Sequence, residues 1–143
     1  MNLIFQKAQS SDIEQIYAFN KELIDTYEDT EAIDYDKVMV WVRKKICKYI
    51  NDYTCALIDK QTVAYYHFYE SDGAMEIDDL YVFPKYRNKG IGTAIIRRCC
   101  EQSSLPVFLY VFKKNIHAIS LYERMGFMIT QQVGDTRYIM KKG

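Results

Sequence analysis

The stretch Leu80-Tyr-Val-Phe-Pro-Lys-Tyr-Arg-Asn-Lys-Gly-Ile-Gly-Thr93 constrains this chain more than any other. An extended apolar run ends at Pro84, which cannot donate to a strand ladder. A basic loop follows, and Gly90 and Gly92 then open a helix. Glycine lets the backbone come close to a ligand, and the amides of a first helical turn have no partner inside the helix. With the helix dipole they form a site for an anion, which Lys85, Arg87 and Lys89 reinforce. The pattern is not a dinucleotide fingerprint, because Ile95 stands where the third glycine belongs, and it lacks the G-x-x-x-x-G-K of a P-loop.

Around that segment the hydrophobic periodicities predict a mixed α/β chain in the order β-α-α-β-β-β-α-β-α-β-β. A first strand is expected over Leu3–Ala8. Ser11-Asp-Ile-Glu14 has the form of a capping box. Behind it Ile13, Ile16, Tyr17, Leu23, Ile24 and Tyr27 share one helical face. A second amphipathic helix is expected over Asp36–Ile50 with Val38, Val42, Ile46 and Tyr49 inward, and its Arg43-Lys44-Lys45 cluster reads as a solvated face. Strands are expected over Tyr53–Ile58, Thr62–Glu70 and Ala74–Phe83, the last two joined by an Asp-Gly hairpin turn. A helix over Gly90–Glu101, an apolar strand over Pro106–Phe112 and a helix over Asn115–Met125 follow, the last closed by Gly126. Phe127–Val133 and Arg137–Met140 form a final hairpin. At 143 residues the chain has the size of one domain, residues 1–143, with room for a core that needs neither disulfides nor metals.

Two motifs carry a resemblance. Arg87-Asn-Lys-Gly90-Ile-Gly92 matches an R/Q-x-x-G-x-G/A loop, and Asn115-Ile-His-Ala118-Ile-Ser-Leu-Tyr122-Glu-Arg-Met-Gly126-Phe127 matches N-x-x-A-x-x-x-Y-x-x-x-G-F. Both motifs, their separation and the element order resemble the GNAT superfamily of N-acetyltransferases. The resemblance implies a mostly antiparallel central sheet flanked by helices and acetyl-CoA as cosubstrate. Its pyrophosphate would lie on the amides of Arg87, Asn88, Lys89, Gly90, Ile91, Gly92 and Thr93. The pantetheine arm would run along the backbone of Leu80, Tyr81 and Val82, with Asn115 on its other side. A bulge would splay that strand from Val107–Phe112 and admit the thioester. The residues agree with this reading. Asn115, Ala118 and Tyr122 are spaced i, i+3, i+7 and share a helical face. Ala118 is small enough to let a ligand pass, and Tyr122 brings a hydroxyl suited to protonating the departing thiolate.

Acetylation also requires the amine to lose its proton, since a lysine-like ammonium titrates near 10.4. Glu76-Ile-Asp78-Asp79 precedes the cofactor segment, and strand alternation sets Glu76, Asp78 and Leu80 on one face and Ile77, Asp79 and Tyr81 on the other. In the superfamily a Glu at the place of Glu76 often serves as base, which makes Glu76 the first choice, with Asp78, Asp79 and His67 as alternatives. The stretch Glu22–Asp36 holds seven carboxylates and no base, an acidic rim that would attract a cationic amine such as a polyamine, an aminoglycoside or a basic peptide end.

Charge and composition narrow the classes. The formal net charge is zero, yet residues 1–80 hold 8 Lys and Arg against 16 Asp and Glu, and residues 81–143 hold 11 against 3. That suits a domain gripping a polyanion with one half and a cation with the other, and does not suit a uniformly basic nucleic-acid binder. Aromatic residues make up 15%, with 13 Tyr, as in a β-rich core or an aromatic-lined site. Cys47, Cys55, Cys99 and Cys100 include no C-x-x-C pair, so no metal site is expected and free thiols in a reducing cytosol are. No apolar run approaches the length of a membrane span and Met1–Asp12 lacks the order of a signal peptide, so a soluble cytoplasmic enzyme is expected, as monomer or homodimer. The alternatives are a protein or peptide N-acetyltransferase and a non-catalytic module that binds acyl-CoA.

Overall fold

The computed structural model describes residues 2–143. Its elements are β1 (Ile4–Lys7), α1 (Ile13–Tyr27), α2 (Tyr35–Tyr49), β2 (Tyr53–Ile58), β3 (Gln61–Ser71), β4 (Ala74–Val82), α3 (Ile91–Gln102), β5 (Val107–Phe112), α4 (Ile116–Arg124), β6 (Met128–Val133) and β7 (Arg137–Lys142), the order that the periodicities predict. The seven strands form one sheet, β1-β2-β3-β4-β5-β7-β6. Every neighbouring pair is antiparallel except β4 and β5, which are parallel and connected through α3. Among the described residues no helix is long and apolar enough to cross a membrane.

Each face of the sheet carries its own core. Ile91, Ile95, Ile96 and Cys99 of α3 recur with helical period and pack with Tyr122 of α4 on Ile77, Val107 and Leu109. Ile16 and Ile24 of α1 and Met39, Val42 and Ile46 of α2 do the same on Tyr53, Cys55 and Tyr65. Met39 takes the inward place expected of Tyr49, which is exposed. The entry to α1 also differs from the capping box expected at Ser11 and Glu14. The chain makes a 3-10 turn over Ser10–Asp12 in which Gln9 N–H donates to Asp12 Oδ2 at 2.8 Å. Glu14 is thereby free to take a bidentate bond from Arg43 of α2, at 2.6 and 2.8 Å.

Strict alternation fails in β4, and the failure shapes the site. His67 pairs with Asp78 and Tyr65 with Tyr81, so β4 holds one residue more than β3 over this interval. The extra residue is absorbed at Asp79, whose φ is +52°. Glu76 and Asp78 therefore share the α1/α2 face with Asp79 and Tyr81, not with Leu80. Lys45 of α2 bonds both aspartates, and Tyr81 stacks on Phe19 of α1 with ring centroids 3.7 Å apart. Leu80 and Val82 turn to the α3/α4 core. Tyr53 Oη donates to Asp79 Oδ2 at 2.6 Å, and Lys45 Nζ lies 3.1 Å from both Asp78 Oδ2 and Asp79 Oδ2. Among the described residues the parallel pairing of β4 with β5 covers Met75–Val107 and Glu76–Phe108 and then stops, although the strands run on to Val82 and Phe112. A bulge bends and twists its strand, and here the two strands splay apart beside it.

This clamp makes a stability prediction. Burial opposes the charge of Lys45, but Asp79 and Asp78 outweigh it and hold its pKa above the usual lysine value. Lys45→Met strands two carboxylates and should cost about 3–5 kcal/mol at neutral pH. Asp78 already has a pKa raised by burial and by Asp79, and loss of Lys45 raises it further. A carboxyl whose folded pKa lies above its unfolded one destabilises increasingly as pH rises through that folded value. The stability gap between Lys45→Met and wild type should therefore shrink on acidification, as urea unfolding at pH 5 and pH 7.5 would report; a gap independent of pH would contradict this role.

Candidate active site

The turn before α3 is built as its sequence suggests. Gly90 is the N-cap, with φ +83°, and Ala94 N–H is the first to bond back into the helix, to Gly90 O at 3.0 Å. The amides of Ile91, Gly92 and Thr93 consequently have no helical partner. Arg87 anchors the loop: Nε donates to Val82 O at 2.9 Å and the guanidinium covers the Tyr81 ring at 4.9 Å. Lys85 and Lys89 enter none of the salt bridges among the described residues, so the loop stays positive. Gly92 has a packing reason as well. A Cβ there would sit 3.3 Å from Leu121 Cδ2 and 3.9 Å from Val82 Cγ2, so the glycine lets α3 seat against α4 and the end of β4.

A groove of about 1220 Å³ begins between α1 and α2, passes through the splay and reaches α4. On the α1/α2 side its floor is Glu76, which is only 8% exposed and accepts a 2.8 Å bond from Tyr69 Oη. Burial first, and then the charge of Asp78, push the Glu76 carboxyl above the usual range, against the opposing pull of Tyr69 and Lys45. Burial also raises Tyr69, which stays a donor. Asp78 and Asp79 line the same floor with Lys45. Beyond the splay lie Leu80, Asn115, Ala118 and Tyr122. Asn115 caps α4 by accepting from Ala118 N–H at 3.3 Å. Tyr122 is buried against Phe127, and burial alone pushes its hydroxyl up to about 12. No hydrogen bond from that hydroxyl is found among the described residues, so it is a protonated donor free to bond a guest in the groove.

The structure thus gathers Glu76, Leu80, Asn115, Ala118 and Tyr122 around one groove. The side chains of Tyr81 and Val82 point elsewhere, Tyr81 giving its hydroxyl to Glu22 at 2.6 Å, and the Arg87–Thr93 turn stands outside the groove wall at the end of β4. The acidic stretch is not a rim. Asp25 is tied to Lys21 and Tyr35, each at 2.7 Å, Asp34 caps α2, and Glu22 and Glu28 part company, Glu28 alone of the carboxylates in Glu22–Asp36 lining the groove. The Arg43-Lys44-Lys45 cluster is not a uniformly solvated face either, since Arg43 pairs with Glu14 and Lys45 with the floor aspartates. Lys45 and Tyr53 were beyond the reach of motif reading. The one available sign was Lys45 standing seven residues after Val38, a charge in the inward stripe of an amphipathic helix.

A family model described as the acetyltransferase (GNAT) family matches residues 12–127. Spermine/spermidine N(1)-acetyltransferase of Bacillus subtilis (strain 168) is 32% identical over 67 residues, which make up 43% of this chain and 44% of that protein. An uncharacterized N-acetyltransferase of Methanocaldococcus jannaschii is 39% identical over 56 residues, 36% of this chain and 25% of that protein. The matches thus span less than half the length of these curated relatives. Among solved structures, the PaiA N-acetyltransferase of Thermoplasma acidophilum in complex with coenzyme A superposes with TM-score 0.72 at 21% identity, covering 99% of each chain. An N-acetyltransferase of Staphylococcus aureus Mu50 does so with TM-score 0.76 at 14% identity, covering 97% of this chain and 100% of that one. With four-fifths of its length fitting the family model and its fold shared with solved N-acetyltransferases, this chain belongs to the acetyltransferase (GNAT) family.

Proposed function

We propose that this chain transfers the acetyl group of acetyl-CoA directly to a primary amine, and that the acceptor is a small cationic amine. The observation that carries the reading is one groove with a buried carboxylate, Glu76, before the splay and an unpaired phenol, Tyr122, beyond it. A module that merely bound acyl-CoA would have no use for that pairing. Acetyl-CoA, when bound, supplies the acetyl thioester. The chain fits it: the free amides of Ile91–Thr93 with Lys85, Arg87 and Lys89 suit a pyrophosphate, and the edge that β4 opens beside Leu80–Val82 leaves backbone groups for an amide-bearing arm. Asn115 faces the same passage.

The division of labour follows from the environments. A charged amine has no lone pair to attack with, and Glu76, with its raised pKa, is better matched to neutral pH as a base than an ordinary glutamate. Tyr122 holds its proton until a thiolate needs it. The groove lining sets six carboxylates, Glu76, Asp78 and Asp79 among them, against Lys44, Lys45, Lys48 and Arg137, a negative surplus that favours a cationic guest. The likeness to a protein named for spermine and spermidine supports the same choice.

Thiol release from acetyl-CoA with a panel of polyamines, aminoglycosides, amino acids and peptides tests the whole reading. Turnover should be fastest with the polycations; release with peptides alone would move the acceptor to the peptide class. Reversing Lys85 and Lys89 to Glu should raise KM for acetyl-CoA by about tenfold, and added salt should narrow that gap because the charges are exposed. These two are better probes of the turn than Gly92, whose replacement also disturbs the contact with Leu121.

Tyr122→Phe keeps the ring and should lower kcat by about 10²- to 10⁴-fold with acetyl-CoA affinity unchanged. Undiminished turnover would return Tyr122 to core packing. Glu76→Gln should depress kcat/KM and erase the acidic limb of its pH profile, because the base works only when ionised and activity falls as pH drops through its raised pKa. A retained acidic limb would pass the role to Asp78 or Asp79.

A further inference from the structure

Acetylation of an ammonium group takes two protons from nitrogen, and a single carboxylate beside that nitrogen holds only one of them. The reaction R–NH3+ plus thioester gives amide, thiol and one H+: two N–H bonds break, an N–C bond replaces the S–C bond, and one S–H bond forms. Glu76 can hold one of the two departing protons. By the time the second leaves nitrogen, Glu76 is already protonated, and Tyr122 on the far side of the splay has its own proton until the thiolate takes it.

An imidazole that nothing in this scheme uses stands on the same side of the groove as Glu76. His67 of β3 lines the groove and is only 3% exposed. Its ring lies between Tyr53 and Tyr69, with centroids at 4.6 and 4.4 Å, and Tyr69 is the residue that bonds Glu76. Nε2 is 2.8 Å from Oδ2 of Asp52, whose side chain is 63% exposed. Nδ1 is buried and has no hydrogen-bond partner. A carboxylate only accepts, so the short contact fixes the ring proton on Nε2 and leaves Nδ1 with its lone pair. Stacking alone would be served by another phenyl ring, without an orphaned acceptor in the interior. The groups facing the imidazole are Tyr49 from α2, Asp52 from the turn before β2, Tyr53 from β2, Tyr69 from β3 and Asp78 from β4, the charge of Asp78 being met by Lys45.

We propose that the His67–Asp52 pair is the second proton acceptor of the reaction: His67 Nδ1 takes one of the two protons lost by the acceptor's nitrogen, relayed by water that reaches the ring from the groove it lines, and Asp52 holds the resulting imidazolium. The N–H bond that breaks on the acceptor is matched by the one that forms on Nδ1, and Nε2–H stays on Asp52 throughout. When product leaves, the imidazolium gives its proton to water entering the groove as the one H+ released, and the proton on Glu76 passes back through that water to the Tyr122 phenolate, so that all three groups are reset. The inference rests on Glu76 being the first base and Tyr122 the acid.

The test uses the full chain with three variants. His67→Ala should lower kcat by about 10²-fold with KM for acetyl-CoA unchanged, and millimolar imidazole should restore turnover in a saturable manner. His67→Gln, which bonds but does not titrate, should be as slow as His67→Ala. Asp52→Asn lies at the surface and leaves the core untouched; it should lower kcat by about tenfold. Wild-type kcat in His67→Gln and Asp52→Asn overturns the proposal, and so does a slow, natively folded His67→Ala that imidazole does not rescue. If His67→Ala fails to fold, Asp52→Asn decides. The two readings separate cleanly: an inactive wild type sinks the acetyl-transfer scheme and an active Glu76→Gln removes Glu76 as the first base, whereas an active wild type with a dead Glu76→Gln leaves the His67 series to judge this step alone.

Discussion

A single carboxylate held in left-handed backbone conformation keeps this site open. Asp79 at φ +52° costs about 1–3 kcal/mol in backbone strain, and the surroundings cover it with a 2.6 Å bond from Tyr53 and a 3.1 Å ion pair to Lys45. Without the bulge, alternation would turn Asp79 into the apolar core of α3 and α4 and bring Leu80 onto the polar face, a register that buries an unpaired charge and wastes an apolar side chain. The extra residue lets both go where they belong. It also ends regular pairing with β5, so the groove, the floor of carboxylates and the passage to Tyr122 all follow from one irregularity.

The asymmetry of charge along the chain takes on a different meaning in three dimensions. The basic half does supply a positive loop ahead of α3, left without acidic partners. Of the acidic stretch Glu22–Asp36 only Glu28 lines the groove, while Glu22, Asp25 and Asp34 are engaged by Tyr81, by Lys21 and Tyr35, and by the start of α2. The negative surplus that matters lies deeper, at Glu76, Asp78 and Asp79, which reach the groove from one strand. On the proposed function a cation would be recognised at the floor more than at the mouth, where Trp41 of α2 stands 60% exposed.

What could be read in the sequence was whatever depends on local chemistry. The capped, glycine-opened turn at Gly90 and the shared face of Asn115, Ala118 and Tyr122 are set by residues a few positions apart, and the structure carries both as written. The order of elements along the chain followed from hydrophobic periods and turns. Two local readings failed for local reasons: Gln9 and Asp12 outcompeted Ser11 and Glu14 as the helix entry, and the bulge at Asp79 reversed the alternation beyond it. The rest was illegible because it depends on contacts across the fold. Nothing in Lys45 announces that it meets Asp79 thirty-odd residues later, and nothing in Tyr69 or Asp52 announces that each will bond a titratable group in the groove.

One physical effect prepares both ends of the groove for opposite tasks. Removing water from a group disfavours its charged form. For Tyr122 that means a proton held up to about 12, which suits its proposed role of donor to a departing thiolate. For Glu76 it means an affinity for protons above that of an ordinary carboxylate, and hence a stronger base. The two are not equivalent: a phenol at the position of Glu76 would keep its own proton at neutral pH and so accept none. Desolvation tunes each group, but the direction in which it is useful is set by which residue type the chain places on which side of the splay.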